Sequence, residues 1–272
     1  MPYGDHMPIG TETDTLVRHL VTARIAGDVG TPRESNVDHA RRFADGDPAF
    51  EIGLPPLRRW TYPEMLALLA ERVGIDPDPV RETGPDTIDP VLTVAALERM
   101  RHRVAAAARR RERVLLATGH PTGVMQIHLA LAAALRAAGC TVLGPAAGEV
   151  FDVYRTYAEA VSRVQLIYVG GVAVCSDGYA LWHSHTATGM ELMLDALADA
   201  GEAPPDLVIA DHGFAGAAAR HGLDVVSFAD SNDPSLFVGE AEGRIRVTVP
   251  LDDNVLPQLY DPLSTFLMAG WT

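Results

Sequence analysis

Carboxylates and imidazoles stand in short clusters beside glycines and threonines, each cluster directly after an apolar run. Asp211-His212-Gly213 follows Leu207–Ala210. Asp230-Ser231-Asn232-Asp233-Pro234 follows Val225–Ala229, and Asp252-Asp253-Asn254 follows Arg246–Pro250. His183-Ser184-His185-Thr186-Ala187-Thr188-Gly189 follows Tyr179–Trp182, and Gly119-His120-Pro121-Thr122-Gly123 follows Val114–Thr118. A neighbouring carboxylate and imidazole can serve as general base and orienter, which nominates Asp211 and His212 as catalytic. Asp230, Asp252, Asp253 and Asn254 offer oxygen donors of the kind that hard divalent ions take, Mg²⁺ or Mn²⁺ foremost. Carboxylates brought close repel and raise one another's pKa unless a cation sits among them. His183 and His185, two residues apart, share a face if their strand extends through them. They then form a metal pair or, when protonated, a grip on phosphate.

The segment Thr118–Gly123 carries glycines that let backbone approach a ligand and a threonine, Thr122, able to cap a following helix. Helix N-termini present free amides and partial positive charge to anions. Thr118, Gly119, His120, Thr122 and Gly123, with His183, His185, Thr186 and Thr188, are therefore the expected substrate-binding set. Each motif also has a purely structural reading: Asp before a helix is an ordinary N-cap, and Asx-rich loops are ordinary turns. The acidic and the anion-binding halves support each other, since an acidic edge accepts a phosphate only with a cation between them.

These clusters share one expected position, the carboxyl ends of strands. In an open parallel sheet those ends line one edge, where ligands bind. From Arg113 onward strands and helices alternate, which predicts an α/β, doubly wound, mostly parallel Rossmann-like sheet. Val172–Cys175 and Tyr179–Trp182 flank Ser176-Asp177-Gly178 and predict one antiparallel hairpin. Gly123–Ala138, Phe151–Ser162 and Thr188–Ala200 read as helices. Residues 1–112 read as a helical N-terminal portion packed on the core of 113–272, in one integrated domain, with Gly74–Pro90 as a loop. Thr61-Tyr62-Pro63-Glu64 has capping-box spacing and opens a helix, and Asp89-Pro90 opens another. The first seven residues, Met1–Met7, carry no fold information.

Composition narrows the chemistry. The 272 residues hold 22 Lys plus Arg against 36 Asp plus Glu, a formal net charge of −14. That balance argues against nucleic acid or an anionic membrane as partner. Every one of the 22 basic residues is Arg, so there is no lysine for a PLP Schiff base, a Walker loop or a kinase. The Thr118–Gly123 segment lacks dinucleotide-fingerprint spacing, which argues against NAD. Cys140 and Cys175 read as buried thiols, and with no signal peptide or long apolar run the expected location is cytoplasmic. Arg109–Arg113 reads as a solvated helix end, with an acidic-ligand or subunit contact as the alternative. The expected partner is a small anionic metabolite, and a homo-oligomer is allowed.

Three stretches carry a resemblance: Ala210–Ala218, Phe228–Leu236 and Val249–Val255. Together with Thr118–Gly123 they resemble a family of bacterial phosphatases common in actinobacteria. Asp253-Asn254 is also similar to the metal-binding Asp-Asn of damage-control phosphatases, although the flanking residues differ. The resemblance implies a phosphoric monoester hydrolase. With the motifs it gives the leading expectation, a metal-dependent hydrolase of a small phosphorylated metabolite. A lyase, cyclase or isomerase gripping a carboxylate at the same edge, or a non-catalytic metabolite binder, are the alternatives.

Overall fold

A computed structural model describes residues 9–155 and 160–271 of the chain. Helix α1 (Ile9–Thr22) leads into β1 (Gly27–Pro32), α2 (Arg33–Ala44), the single turn α3 (Pro48–Glu51), α4 (Tyr62–Arg72), β2 (Pro85–Ile88) and α5 (Pro90–Arg110). Then come β3 (Arg113–Ala117), α6 (Met125–Ala137), β4 (Thr141–Val142), β5 (Val150–Arg155), β6 (Ala160–Val169), β7 (Val172–Ser176) and β8 (Leu181–Trp182). The chain closes with α7 (Thr188–Asp199), β9 (Leu207–Asp211), α8 (His212–Arg220), β10 (Val225–Ala229), α9 (Pro234–Ala241), β11 (Val247–Pro250) and α10 (Asp261–Met268).

The architecture is mixed α/β around a nine-stranded sheet of order β11-β10-β9-β3-β7-β6-β5, with β4 also on β3 and β8 also on β7. From β11 to β7 the pairs on this path are parallel. Strands β9, β10 and β11 are buried along their whole length, the apolar signature of strands covered on both faces. The predicted hairpin is present as β7 and β8, antiparallel and joined through Asp177, whose Oδ1 accepts the amides of Tyr179 and Ala180 at 2.9 and 2.8 Å. Beyond it, β5, β6 and β7 also run antiparallel.

Two sequence expectations give way here. Phe151–Ser162 is not a helix: Val150–Arg155 and Ala160 onward pair as strands, with Val153 opposite Ser162 and Phe151 opposite Val164. Residues 156–159 lie outside the described part. The alternation of branched and aromatic side chains in Val150-Phe151-Asp152-Val153 fits a pleat better than a helical face. The loop expected over Gly74–Pro90 contains β2, which pairs antiparallel with β1 through Gly27–Ile88 and Asp28–Thr87, so the N-terminal portion is not wholly helical.

Local signals explain the helix starts. The Glu64 carboxylate accepts the Thr61 amide at 2.8 Å, closing one half of a capping box before α4. Asp89 accepts the Val91 amide at 2.7 Å, and Pro90 opens α5. A core of buried hydrophobic side chains runs from Leu16 in α1 to Leu267 in α10 and includes Leu97, Leu116, Ile209, Phe228 and Val249. No helix of the described residues is long and apolar enough to cross a membrane.

Candidate active site

Register brings the sequence motifs together. Ala117 pairs with Ala210, Asp211 with Phe228, and Ala229 with Pro250. Thr118, Asp211, Asp230 and Asp252 therefore leave the sheet along one edge. The His183–Thr188 segment arrives differently. Strand β8 runs antiparallel to β7, with Leu181 opposite Ser176 and Trp182 opposite Cys175. It returns towards β3, and the Ser184 amide donates to Gly119 O at 2.9 Å. The expectation of a direction common to all five motif-bearing strands thus holds for four and fails for β8.

Asp211 is buried at the end of β9 and is fully committed on one oxygen. Its Oδ1 accepts the Gly119 amide at 2.6 Å and lies 2.9 Å from His212 Nδ1. His212 adopts a left-handed backbone, φ +46°, sparsely populated for a residue with a Cβ. Such strain costs on the order of 1–3 kcal/mol and persists where the surroundings fix it. The turn points the ring back over the sheet edge. Its Nε2 comes 3.5 Å from Asp233 Oδ2 and 3.7 Å from Asp253 Oδ2. Carboxylate, imidazole and acidic cluster are thereby in series, the arrangement that orients a histidine ligand towards a metal.

Electrostatics follow from this crowding. Burial opposes a charge on His212, but Asp233 and Asp211 outweigh it and hold its pKa up to about 10. Burial likewise opposes ionisation of Asp211, yet the bond from His212 brings it down to about 2. Asp230 moves the other way: burial and the facing Asp252 push it up to about 7. Burial also raises Asp253 well above the carboxylate range, with Asp230 and Asp233 adding to it against the pull of His212. His183 falls to about 3, through burial first and then His212 and His185, and His120 is lowered by burial and His212.

Three overlapping donor groups lie here, each with its ligand atoms within 4.8 Å of one another: Asp230, Asp252 and Asp253; His212, Asp233 and Asp253; and His183, His185 and His212. The first contains three of the four residues expected to hold metal. Asn254, the fourth, is exposed, and its amide donates to Asp252 Oδ1 at 3.0 Å. Beside Asp252 and Asn254 opens a cavity of about 490 Å³, bordered by Arg24, Gly30, Thr122 and Leu256.

The Thr118–Gly123 turn is a brace as much as a cradle. Its amides are partly spent within the protein, Thr118 on Ala173 O at 3.0 Å, Gly119 on Asp211 and His120 on Thr118 Oγ1 at 3.0 Å, and just beyond the turn the Val124 amide donates to Asp253 O at 3.2 Å. Thr122 does not cap α6, which starts two residues later than expected and carries no side-chain cap. The Thr122 hydroxyl faces His120 Nδ1 at 3.4 Å. Thr186 and Thr188 bond each other at 2.9 Å where α7 begins.

Several residues in this constellation escaped sequence reasoning. Asp233 sits in the Asp-rich loop, but nothing marks it as nearer to His212 than Asp230 is. Thr31 donates to Asp230 Oδ2, and the Gly30 amide to Asp252 Oδ2 at 2.9 Å. Both come from β1, about two hundred residues away in sequence, with no local signal. His128, on α6, is buried with Nε2 3.4 Å from Asp211 Oδ2.

The family described as Phosphatase matches residues 11–271 of the chain. The chain belongs to this family. It is 47% identical over 267 residues to the phosphatase SCO2771 of Streptomyces coelicolor, a match covering 97% of this chain and 98% of the relative. No solved structure matches. The motifs that carried the resemblance, Ala210–Ala218, Phe228–Leu236 and Val249–Val255, all fall within the matched span.

Proposed function

We propose that this member of the phosphatase family is a metal-dependent phosphoric monoester hydrolase acting on a small phosphorylated metabolite. The observation that carries the metal dependence is the donor chemistry of Asp230, Asp252 and Asp253. Three buried carboxylates converge within 4.8 Å, and two of them are pushed towards the protonated form. Such a set is relieved by a divalent cation with a preference for oxygen, Mg²⁺ or Mn²⁺. A cation held there supplies charge neutralisation for phosphoryl oxygens and acidifies water.

The chain's own groups divide the remaining work. Gly30 and Thr31 donate to Asp252 and Asp230 and fix the carboxylates that would hold the ion. Asp211 fixes the tautomer of His212 by accepting at Nδ1. Because Nε2 of His212 is aimed into the carboxylates, we assign it to that cluster and not to proton transfer. His120 takes the proton-transfer role: burial keeps its ring neutral near pH 7, and its Nε2 stands 3.6 Å from Asp253 Oδ1. Thr122, Gly123 and Thr188 remain the proposed contacts to substrate. The 490 Å³ cavity beside Asp252 receives the organic part of a small metabolite.

The proposal takes the sheet as doubly wound and Rossmann-like. It takes the chain as one integrated domain whose N-terminal portion roofs the ligand edge, supported by the reach of β1 to Asp230 and Asp252. A cytoplasmic setting is part of it, in keeping with two buried free thiols. The test is phosphate release from a small phosphomonoester. Turnover should require Mg²⁺ or Mn²⁺, be competitively inhibited by inorganic phosphate, and drop by about 10²-fold or more in Asp252→Asn. Full turnover in chelator would remove the metal from the mechanism. Saturable binding without turnover would leave a metabolite binder.

A further inference from the structure

The oxygen-rich group leaves a set of imidazoles unexplained beside it. His183 Nε2 and His185 Nε2 face each other at 3.0 Å. Both belong with His212 to one donor group within 4.8 Å. The rings of His183 and His185 lie with centroids 5.1 and 4.7 Å from that of His212, and His120 packs on His183 at 4.6 Å. Four imidazoles are thus gathered where three carboxylates already converge.

Strand β8 ends at Trp182, and a backbone contact of the segment after it makes the pair. Ser184 is buried and tied through its amide to Gly119, so the residues on either side present the same face. With no ion between them, one ring's N–H donates to the other's lone pair across that 3.0 Å. The same spacing suits a shared ion: two nitrogens each about 2.0–2.1 Å from one metal stand roughly 2.9–3.4 Å apart at right-angled to tetrahedral geometry. His212 supplies a third nitrogen once an ion displaces the proton on Nε2: Nδ1 is bonded to Asp211, and Nε2 is the atom that faces the site.

We propose that His183, His185 and His212, with Asp233 alongside, form a second cation site, nitrogen-rich and distinct from the carboxylate site. Asp253 is the shared wall. It belongs to both the Asp230–Asp252 group and the His212–Asp233 group, and its Oδ2 faces His212 while Oδ1 faces His120. The inference rests on the hydrolase reading above only in calling this site the second of two. The two sites differ in chemistry: carboxylates alone suit Mg²⁺ or Mn²⁺, whereas imidazoles suit Zn²⁺, Fe²⁺ or Co²⁺. The centre is therefore asymmetric, with a borderline transition metal under the His183–His185 pair and a harder ion among the aspartates.

The test is Co²⁺ binding to metal-free protein, read by metal content after desalting and by the visible absorption of the bound ion. Wild type should take up two equivalents. The His183→Ala/His185→Ala variant should keep one and lose the absorption band that reports nitrogen ligands. Asp230→Asn should keep that band and lose the other equivalent. His183→Gln, at a partly solvent-exposed position, gives the same reading if the double variant does not fold. Two equivalents and an unchanged spectrum in the folded histidine variants would overturn the second site. So would one equivalent in wild type that disappears only with Asp230→Asn. Loss of cobalt in the histidine variants with none in Asp230→Asn would instead uphold the imidazole site and sink the carboxylate one.

Discussion

Asp230 shows how a single side chain can report on the centre. Burial and the nearby Asp252 push its pKa up to about 7, from an ordinary 3.8. A carboxyl with a raised folded-state pKa favours the folded state fully below its unfolded value. That contribution is lost as pH rises through the folded value. Four lowered histidines, His120, His128, His183 and His185, pull the other way over the same range, because the unfolded chain binds their protons more readily. His212, raised to about 10, gives up its contribution only above its ordinary 6.5, and Asp211, lowered to about 2, only below 3.8. The Asp230 contribution is therefore read as a difference: in metal-free protein the stability of wild type relative to Asp230→Asn should fall as pH rises from about 4.5 to about 6.5. Mg²⁺ or Mn²⁺ should reverse it, since a cation displaces the protons. Melting temperatures of both proteins in chelator and in metal across that range test the claim, and a difference between them that does not change with pH in chelator would refute it. At this scale sequence reasoning went far. Asp211, Asp230, Asp252 and Asp253 were legible because each ends or follows an apolar strand. Thr31, Gly30 and Asp233 were not, because their roles depend on tertiary approach.

At the scale of elements, the site depends on a crossing between three backbones. A Cβ on Gly119 would come 2.3 Å from Ser184 O, and one on Gly213 would come 2.3 Å from both His185 O and Thr186 O. The turn after β3, the start of α8 and the histidine segment after β8 are in direct backbone contact. Glycine at 119 and 213 is thus a condition for His183 and His185 to stand over His212. Gly213→Ala should push the histidine segment outward. We expect it to cost about 1–3 kcal/mol in folding stability, as overpacking does, and to weaken Co²⁺ at the imidazole site more than at the carboxylate site. Denaturant unfolding with cobalt titration measures both, and unaltered cobalt binding would contradict the crossing. Strands β9, β10 and β11 were readable as uniform apolar runs. The reversal of β8 was readable in the Ser176-Asp177-Gly178 turn, and it was at odds with a direction shared by all five strands. The pairing of β5 with β6 was missed because a polar-interrupted apolar run has no clear period.

Across the whole molecule, a buried polar chain ties the N-terminal portion to the acidic edge. The Arg33 guanidinium is buried and donates to the carbonyls of Asp76, Asp78 and Arg81 at 2.6–2.9 Å and to Asp86 Oδ2 at 3.1 Å. Asn36 donates to the same Asp86 oxygen at 2.9 Å. Its own carbonyl oxygen accepts from Ser231 Oγ at 3.0 Å, which also lies 3.1 Å from Asp230 Oδ1. None of these links was legible beforehand. An arginine after Thr-Pro and an aspartate after Gly-Pro read as loop residues, and their burial is set only when β1 meets β2. Three carbonyls can solvate the guanidinium, but among the described residues Asp86 is the one carboxylate within ion-pair distance of it. Removing one partner of such a pair strands the other in low dielectric and typically costs about 3–5 kcal/mol. Asp86→Asn keeps the size and removes the charge. It should therefore destabilise the fold by an amount of that order in denaturant unfolding. It should also loosen Asn36 and Ser231 and so weaken Mn²⁺ binding at Asp230, three hydrogen bonds away along that chain. A stability loss with Mn²⁺ affinity unchanged would confine Arg33 and Asp86 to holding β1 and β2 together. Loss of both would make the N-terminal portion part of the metal centre's support.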